Sequence, residues 1–325
     1  MWPPRTGPGG LSRARSGYVC CMRVIAVAGP TAAGKSALSV ALAHALGGEI
    51  INCDSMQLYR GMDIGTAKLT PAEREGVPHH LLDIWPVTEP ASVAEYQRLA
   101  RAEIAAIAGR GNIPLLVGGS GLYLRAVLED FEFPGTDKAL RDALELELAE
   151  SGPEPLHARL RSLDPLAADR ILASNGRRIV RALEVIELTG RPFTASLPDP
   201  KPVYDALTIA VDRADLDDRI AQRVDVMWAQ GFVDEVRSLE NVGLRDGLTA
   251  SRALGYQQIL AFLEGECTEA EAHLATVTGT RRFVRRQRSW FRRDPGIHWL
   301  DGTSDDLLGQ ALNVIRGGTY AVQVH

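Results

Sequence analysis

One stretch, residues 24–36, constrains this chain more than any other. Its first five residues, VIAVA, are small or β-branched and apolar, which is typical of a buried strand. The next eight, GPTAAGKS, match the phosphate-binding loop pattern G-x-x-x-x-G-K-[ST], and a helix-compatible run follows at residues 37–46. A strand, a glycine-rich loop and a helix in this order predict an α/β fold with a site for a diphosphate or triphosphate.

Each part of this loop has a chemical role. Glycines let backbone N–H groups approach phosphate oxygens closely, and the following helix presents its positive end to the anion. Lys35 is expected to reach the terminal phosphate, and the Ser36 hydroxyl is expected to bind a magnesium ion. The residues predicted to surround the phosphates are Gly29, Thr31, Ala32, Ala33, Gly34, Lys35 and Ser36.

Composition bounds the class of protein. The chain has 325 residues, of which 45% are hydrophobic and 24% charged, so it can bury a full core and its length suggests two domains. Its net charge of −5 by itself argues against a nucleic-acid partner. Four cysteines without metal-ligand or disulfide spacing favour a reducing compartment, and no apolar run approaches the ~20 residues of a membrane span. We therefore expect a cytoplasmic protein with no membrane partner.

Two further predicted strands end in polar residues. Residues 49–53 (EIINC) lead into Asp54 and Ser55, and residues 113–117 (IPLLV) lead into a glycine-rich turn with Ser120. Ligands gather beyond the carboxyl ends of parallel strands, so Asp54 is aimed at the same crevice as the phosphate-binding loop. No acid follows the third strand, where a nucleotide hydrolase commonly has one for magnesium. This absence favours group transfer, although plain turn roles remain alternatives for both side chains.

A change of pattern predicts the domain organisation. Residues 136–189 carry apolar residues at helical spacing with Pro and Gly breaks, and a strand pattern resumes at residues 207–211. Residues 1–21 are rich in Pro, Gly, Ser and Arg and contain no acid, so a disordered extension is favoured over an organelle transit peptide. We predict a P-loop NTPase-like parallel sheet flanked by helices from residues 22–132 and 202–325, and an all-helical insertion domain from residues 133–201.

Clustered arginines contrast with the acidic average. Residues 280–293 (TRRFVRRQRSWFRR) contain seven arginines and no acid, and on a helix Arg281, Arg285, Arg288 and Arg292 share one face. The planar guanidinium fork matches phosphate, so this segment predicts a phosphate-rich partner, with nucleic acid as the leading candidate.

Two other arginine groups lie on predicted helices. A solvated helix face is the usual meaning of a cluster such as Arg177, Arg178 and Arg181, but three arginines within five residues can also contact a phosphate backbone. Arg219 and Arg223 are four residues apart on the amphipathic helix predicted at residues 215–236, so at least one could point into a site.

Taken together, the segments resemble one family, the tRNA dimethylallyltransferases, also called tRNA isopentenyltransferases. The resemblance rests on GPTAAGKS, CDSMQLYRGMDIGTAK, VGGSGLYL, TASRALGYQQ and TRRFVRRQRSWFRR, and it covers about residues 22–301. It implies transfer of the dimethylallyl group of dimethylallyl diphosphate to the N6 amine of an adenosine. This adenosine is 3′-adjacent to the anticodon of tRNAs that read codons beginning with U. Many family members have threonine where this chain has Ser120, and the retained hydroxyl leads us to expect the same role.

The resemblance and the residues together predict a mechanism. The loop would hold a diphosphate leaving group rather than ATP, and Lys35, Mg2+ on Ser36 and Arg223 would neutralise its charge. Asp54 would act as general base on an adenine extruded from the stacked anticodon loop of the tRNA. Ser120 would form a hydrogen bond near the diphosphate oxygens. By resemblance, the tRNA anticodon stem-loop would be bound by Asp54, Ser55, Met56, Gln57, Arg177, Arg178, Arg181, Arg252, Gln257, Arg281, Arg285 and Arg288.

Three alternatives remain open. A P-loop small-molecule kinase shares the loop and an acid after the second strand, but it has no use for an acid-free arginine segment. A non-catalytic tRNA-binding module explains the arginines and leaves the loop idle. A prenyltransferase that acts on free adenine nucleotides is the nearest enzymatic alternative. We expect a monomer, with no obligatory protein partner.

Overall fold

A parallel sheet runs through the part of the chain that the computed structural model describes, namely residues 23–131, 133–193 and 201–317. In these residues its six strands are β1 (Arg23–Ala28), β2 (Gly48–Asn52), β3 (His79–His80), β4 (Ile113–Val117), β5 (Asp205–Asp212) and β6 (His298–Asp301). They pair in the order β3-β2-β4-β1-β5-β6, and every pairing is parallel. The α/β prediction is confirmed, and the predicted extension at residues 1–21 lies outside the described residues.

Helices cover both faces of this sheet. Those of the described chain are α1 (Lys35–Leu46), α2 (Val93–Gly109), α3 (Gly121–Leu128), α4 (Lys138–Ser151), α5 (Pro153–Leu163), α6 (Pro165–Arg170), α7 (Gly176–Thr189), α8 (Leu216–Ala229), α9 (Phe232–Glu240), α10 (Tyr256–Leu263), α11 (Glu269–Phe291) and α12 (Leu307–Ile315). Strand residues alternate between the faces. Ile25 and Val27 pack with α1, α8 and α12, whereas Val24, Ala26 and Ala28 pack with α2 and α3. No helix in the described ranges has the length and apolar character needed to cross a membrane.

The carboxyl ends of β1, β2 and β4 meet at one edge of the sheet. The Gly118 N–H donates to the Val27 carbonyl at 3.1 Å, and the Cys53 N–H donates to the Val117 carbonyl at 2.7 Å. The approach is so close that a Cβ on Gly118 would lie 2.3 Å from the carbonyl carbon of Cys53. The segments that leave the three strands are therefore held side by side, as the strand pattern predicted.

Helices α4 to α7 bury an apolar cluster of their own. Leu144, Leu156, Leu160, Ile179 and Leu183 are almost fully buried within it. The helical pattern predicted for residues 136–189 corresponds to these four helices, which begin at Lys138 and end at Thr189. A separate core is what an insertion domain requires, although the division of the chain at residues 133 and 201 stays a prediction.

The amphipathic segment at residues 215–236 forms two helices where one long helix with an interruption was predicted. α8 ends at Ala229 and α9 begins at Phe232, because Gly231 adopts the left-handed conformation with φ of 93°. The turn brings the Phe232 ring against Trp228 and Tyr256 in edge-on contacts, with centroids 5.4 Å and 4.9 Å apart. The three rings belong to one apolar cluster, and Phe232 and Tyr256 also line the cavity described next.

Candidate active site

A cavity of about 530 Å³ opens over the joined ends of β1, β2 and β4. It is bounded on the sheet side by the loops that follow these strands, and on the other sides by α8, α10 and α11. All three residues predicted to be catalytic line it: Asp54 after β2, Ser120 after β4 and Arg223 on α8. The sequence-based expectation that these side chains share one crevice is thus met by the geometry.

The phosphate-binding loop contributes to this cavity unevenly. Thr31 and Ala32 line it, whereas Gly29, Ala33 and Gly34 lie in the loop behind them. The Lys35 ammonium is folded onto the loop and donates to the Pro30 carbonyl at 2.7 Å. The Arg219 guanidinium holds the loop from the α8 side by donating to the Ala32 carbonyl at 3.0 Å.

Three charged groups interact across the site. Burial lowers the pKa of Lys35 to about 8, an effect that the Asp54 carboxylate opposes and Arg223 strengthens. Burial likewise lowers the pKa of Arg223, again opposed by Asp54, and Arg219 adds a smaller repulsion. No described residue forms a hydrogen bond or ion pair with the Arg223 side chain. Two desolvated cations therefore face one carboxylate, and an anionic ligand would restore the balance of charge.

Asp54 is held in a tight turn and still has a free oxygen. Its backbone N–H donates to the Asn52 side chain at 3.0 Å, and its Oδ1 accepts from the Met56 N–H at 2.9 Å. Its Oδ2 has no hydrogen-bond partner among the described residues. The turn role that the sequence left open is present, and it fixes the carboxylate with one oxygen available to a ligand.

Ser120 stands at the start of α3 without capping it. Its side chain accepts no hydrogen bond from the helix, and its hydroxyl has no partner in the described ranges. The following residue, Gly121, is packed so closely that a Cβ there would lie 2.0 Å from Nε1 of Trp290. A hydroxyl that lines a cavity and does no capping is available to a ligand.

Ser36 lies outside this cavity. It is an exposed residue in the first turn of α1, and its hydroxyl makes no hydrogen bond with a described residue. Nor do the described residues contain a group of three His, Cys, Asp or Glu side chains that could hold a metal ion. Any cation at Ser36 would thus take most of its ligands from a bound substrate and from water.

The residues predicted to bind tRNA fall into several places. Those that line the cavity are Asp54, Ser55, Met56, Arg252 and Gln257. Gln57 instead donates to the Thr66 carbonyl at 3.1 Å, in a small separate cavity. On α7, Arg177 and Arg178 are exposed, whereas Arg181 is tied to Glu184 and to the carbonyls of Pro134 and Gly135.

The seven arginines of residues 281–293, in α11 and just beyond it, divide into two sets. Arg288 is paired with the Asp212 carboxylate at 2.8 Å, and Arg281 donates to the Asp217 carbonyl at 3.1 Å. Arg292 also approaches Asp212, at 3.5 Å. These bonds attach the helix to the end of β5 and to α8. RNA contacts of Arg281 and Arg288 stay a prediction.

The other set was not predicted as a group. Arg282, Arg285, Arg286 and Arg293 are exposed and, with Ser289 and Trp290, line an open pocket of about 400 Å³. We call these four arginines the arginine patch. The signal that could have found it is Asp212, an acid directly after the strand predicted at residues 207–211. Asp212 pairs with Arg288 and Arg292 and leaves the four arginines of the patch free.

Comparisons with known proteins agree on one family. The sequence model of the family described as IPP transferase matches residues 57–294. A tRNA dimethylallyltransferase from Salinispora arenicola is 71% identical over 295 residues, which covers 90% of this chain and 86% of the relative.

Solved structures agree as well. The tRNA isopentenylpyrophosphate transferase of Bacillus halodurans is 40% identical, with a TM-score of 0.69 over 91% of this chain and 96% of its own. A eukaryotic dimethylallyltransferase, crystallised acting on tRNA, reaches a TM-score of 0.79 at 26% identity, over 93% of this chain and 81% of its own. The resemblance found in the sequence is confirmed, and this chain belongs to the tRNA dimethylallyltransferase (IPP transferase) family.

Proposed function

We propose that this protein transfers the dimethylallyl group of dimethylallyl diphosphate to the N6 amine of the adenosine 3′-adjacent to a tRNA anticodon, in tRNAs that read codons beginning with U. One observation carries the proposal. A single cavity combines part of a phosphate-binding loop with an available carboxylate, an available hydroxyl and an unpaired arginine. Its rim continues into the arginine patch, because Arg286 and Trp290 line both.

The donor fits the cationic side of the cavity. As the C–O bond of the donor breaks, negative charge builds on the departing diphosphate, and Arg223 in the cavity and Lys35 in the adjoining loop would neutralise it. Ser120 would donate a hydrogen bond to the same group. A divalent ion is the usual companion of a diphosphate, and the free hydroxyl of Ser36 suits Mg2+, which would supply further positive charge when bound.

The acceptor fits the acidic side. The adenine N6 forms a new C–N bond with the prenyl carbon and must lose one proton, which the free Oδ2 of Asp54 can accept. The proton thus moves to Asp54 while diphosphate leaves with the bonding electron pair. The adenine cannot reach this carboxylate within a stacked loop, so the base must be extruded into the cavity.

The arginine patch fits the RNA backbone. Its guanidinium groups make no ion pair with a described residue, so they are available to phosphates without breaking an internal bond. Phe283 and Trp290 are exposed beside them, with 38% and 41% of their surfaces accessible. Exposed aromatic rings next to arginines are typical of surfaces on which the bases of single-stranded RNA stack. This local surface explains how a chain with net charge −5 can bind a polyanion.

A direct assay tests the proposal against its alternatives. The protein is incubated with labelled dimethylallyl diphosphate and, separately, with labelled ATP. The acceptors are tRNA, free adenine nucleotides and small hydroxyl compounds. We expect label only in tRNA, only from the prenyl donor, and in nuclease digests only as N6-(dimethylallyl)adenosine. Phosphate transfer from ATP would support a kinase, prenylation of free nucleotides would support the other prenyltransferase, and no transfer at all would support a binding module.

A further inference from the structure

One side chain of α11, Gln287, links two loops of the candidate site. Its Oε1 accepts from the Thr31 N–H of the phosphate-binding loop at 3.0 Å, and its Nε2 donates to the Gly119 carbonyl after β4 at 2.9 Å. The residue is only 7% exposed. Each end of the amide therefore joins the backbone of a different loop.

The Gln287 amide is tightly packed between the two loops. A Cβ on Gly119 would lie 2.4 Å from the Gln287 Nε2, and the same position lies 3.2 Å from the carbonyl oxygen of Gly29. The amide thus fills the gap between the loop after β1 and the loop after β4. Thr31 and Ser120 both line the cavity. The length of the Gln287 side chain therefore determines the distance between the two loops that bound the cavity.

We propose that Gln287 is a positioning residue for the prenyl donor, which it serves by fixing the separation between the phosphate-binding loop and the Ser120 loop. The proposal rests on the proposed function. By family resemblance, Arg281, Arg285 and Arg288 of this helix are predicted to bind tRNA, but a buried amide that is bonded at both ends to protein backbone is not presented to an RNA surface. Arg286, directly before Gln287 in the helix, is exposed and belongs to the arginine patch. Two adjacent residues of one helix therefore have different roles.

The first variant, Gln287→Met, keeps the length of the side chain and removes both hydrogen bonds. Two buried backbone groups lose their partner, so the loop spacing is no longer fixed. We expect the Kd and KM for dimethylallyl diphosphate to rise roughly 10-fold or more. The Kd for an anticodon stem-loop RNA should change less than about twofold.

The second variant, Gln287→Glu, gives a test that does not depend on a large loss of stability. An ionised Glu accepts from Thr31 but cannot donate to Gly119, whereas a protonated Glu has the same hydrogen-bonding pattern as Gln. Donor affinity of this variant relative to wild type should therefore recover as the pH falls through the pKa of the new carboxyl group. A residue that merely supported folding would show no such recovery.

The matched control is Arg285→Met, two positions away on the same helix, because Arg285 belongs to the arginine patch and does not line the cavity. It should weaken RNA binding and leave the donor Kd of the isolated protein near the wild-type value. Calorimetry with dimethylallyl diphosphate, RNA binding by anisotropy and thermal melting are measured for all four proteins. The proposal is overturned if Gln287→Met loses RNA affinity and keeps donor affinity, if neither affinity changes, or if Gln287→Glu shows no pH-dependent recovery. A wild-type protein that binds no dimethylallyl diphosphate would instead overturn the proposed function.

Discussion

Replacing Asp54 by asparagine should separate proton transfer from ligand binding. The variant keeps the shape of the turn, because the Asn oxygen can still accept from the Met56 N–H and the backbone bond to Asn52 is untouched. What it loses is the ability to take a proton from the adenine amine. A positioned general base contributes about 10²–10⁴ in rate, so kcat should fall by that factor, which is roughly 3–5 kcal/mol of barrier.

The same substitution has a second consequence that the structure fixes in sign. Asp54 opposes the lowering of the Lys35 pKa, which stands at about 8 in the wild-type protein. Lys35 is charged below its pKa and neutral above it, so donor affinity should fall as the pH rises through about 8. Without the carboxylate the Lys35 pKa drops further, and the loss of donor affinity should begin at a lower pH.

Single-turnover rates at saturating tRNA and donor titrations from pH 6 to 9.5 measure the two effects. The Kd for tRNA should change little, since binding does not need the proton to be accepted. A variant with a normal single-turnover rate would refute the general-base role. An unshifted pH dependence of donor binding would refute the electrostatic coupling between Asp54 and Lys35.

Three further outcomes follow from the same geometry. Lys35→Ala should abolish donor binding and transfer and leave tRNA affinity near wild type, as measured by calorimetry and a filter-binding assay; retained turnover would contradict the loop assignment. Replacing Arg282, Arg285 and Arg286 together by Gln should weaken tRNA binding and flatten its dependence on salt by about one unit of slope per lost phosphate contact, and an unchanged slope would mean that the patch faces another partner. Glu235→Ala removes a carboxylate that accepts from three successive backbone N–H groups at residues 63–65. Urea denaturation should therefore show a free energy of unfolding lower by about 1–3 kcal/mol, and an unchanged midpoint would contradict this role of Glu235.

The sequence was most informative where chemistry and local pattern coincide. β4 occupies the predicted residues 113–117, and the helix predicted at residues 37–46 starts only two residues earlier than expected. Asp54 and Ser120 could be placed in one crevice because parallel strands end at a common edge. Strand β3 escaped prediction, since its two residues, His79 and His80, carry no apolar alternation.

What the sequence could not supply was the partner of each polar side chain. Arg288 and Asp212 are 76 residues apart, and Gln287 bonds to backbone groups 256 and 168 positions away. Helical spacing placed Arg281, Arg285, Arg288 and Arg292 on one face of a helix. It gave no sign that three of the four bind protein groups, namely the Asp212 carboxylate and the Asp217 carbonyl. Only the packing of α11 against β5 and α8 separates structural arginines from available ones.

The packing of α11 also limits how this protein can change over evolution. Successive residues of this one helix point to different surroundings: Gln287 to the loops, Arg288 to the end of β5, Ser289 to solvent and Trp290 to the rim of the cavity. Inserting or deleting one residue would turn everything beyond it by about 100° and exchange these surroundings together. A substitution in this segment alters one set of contacts, whereas a change in its length alters all of them at once. The donor site and the RNA-facing surface are therefore tied to one register of the helix.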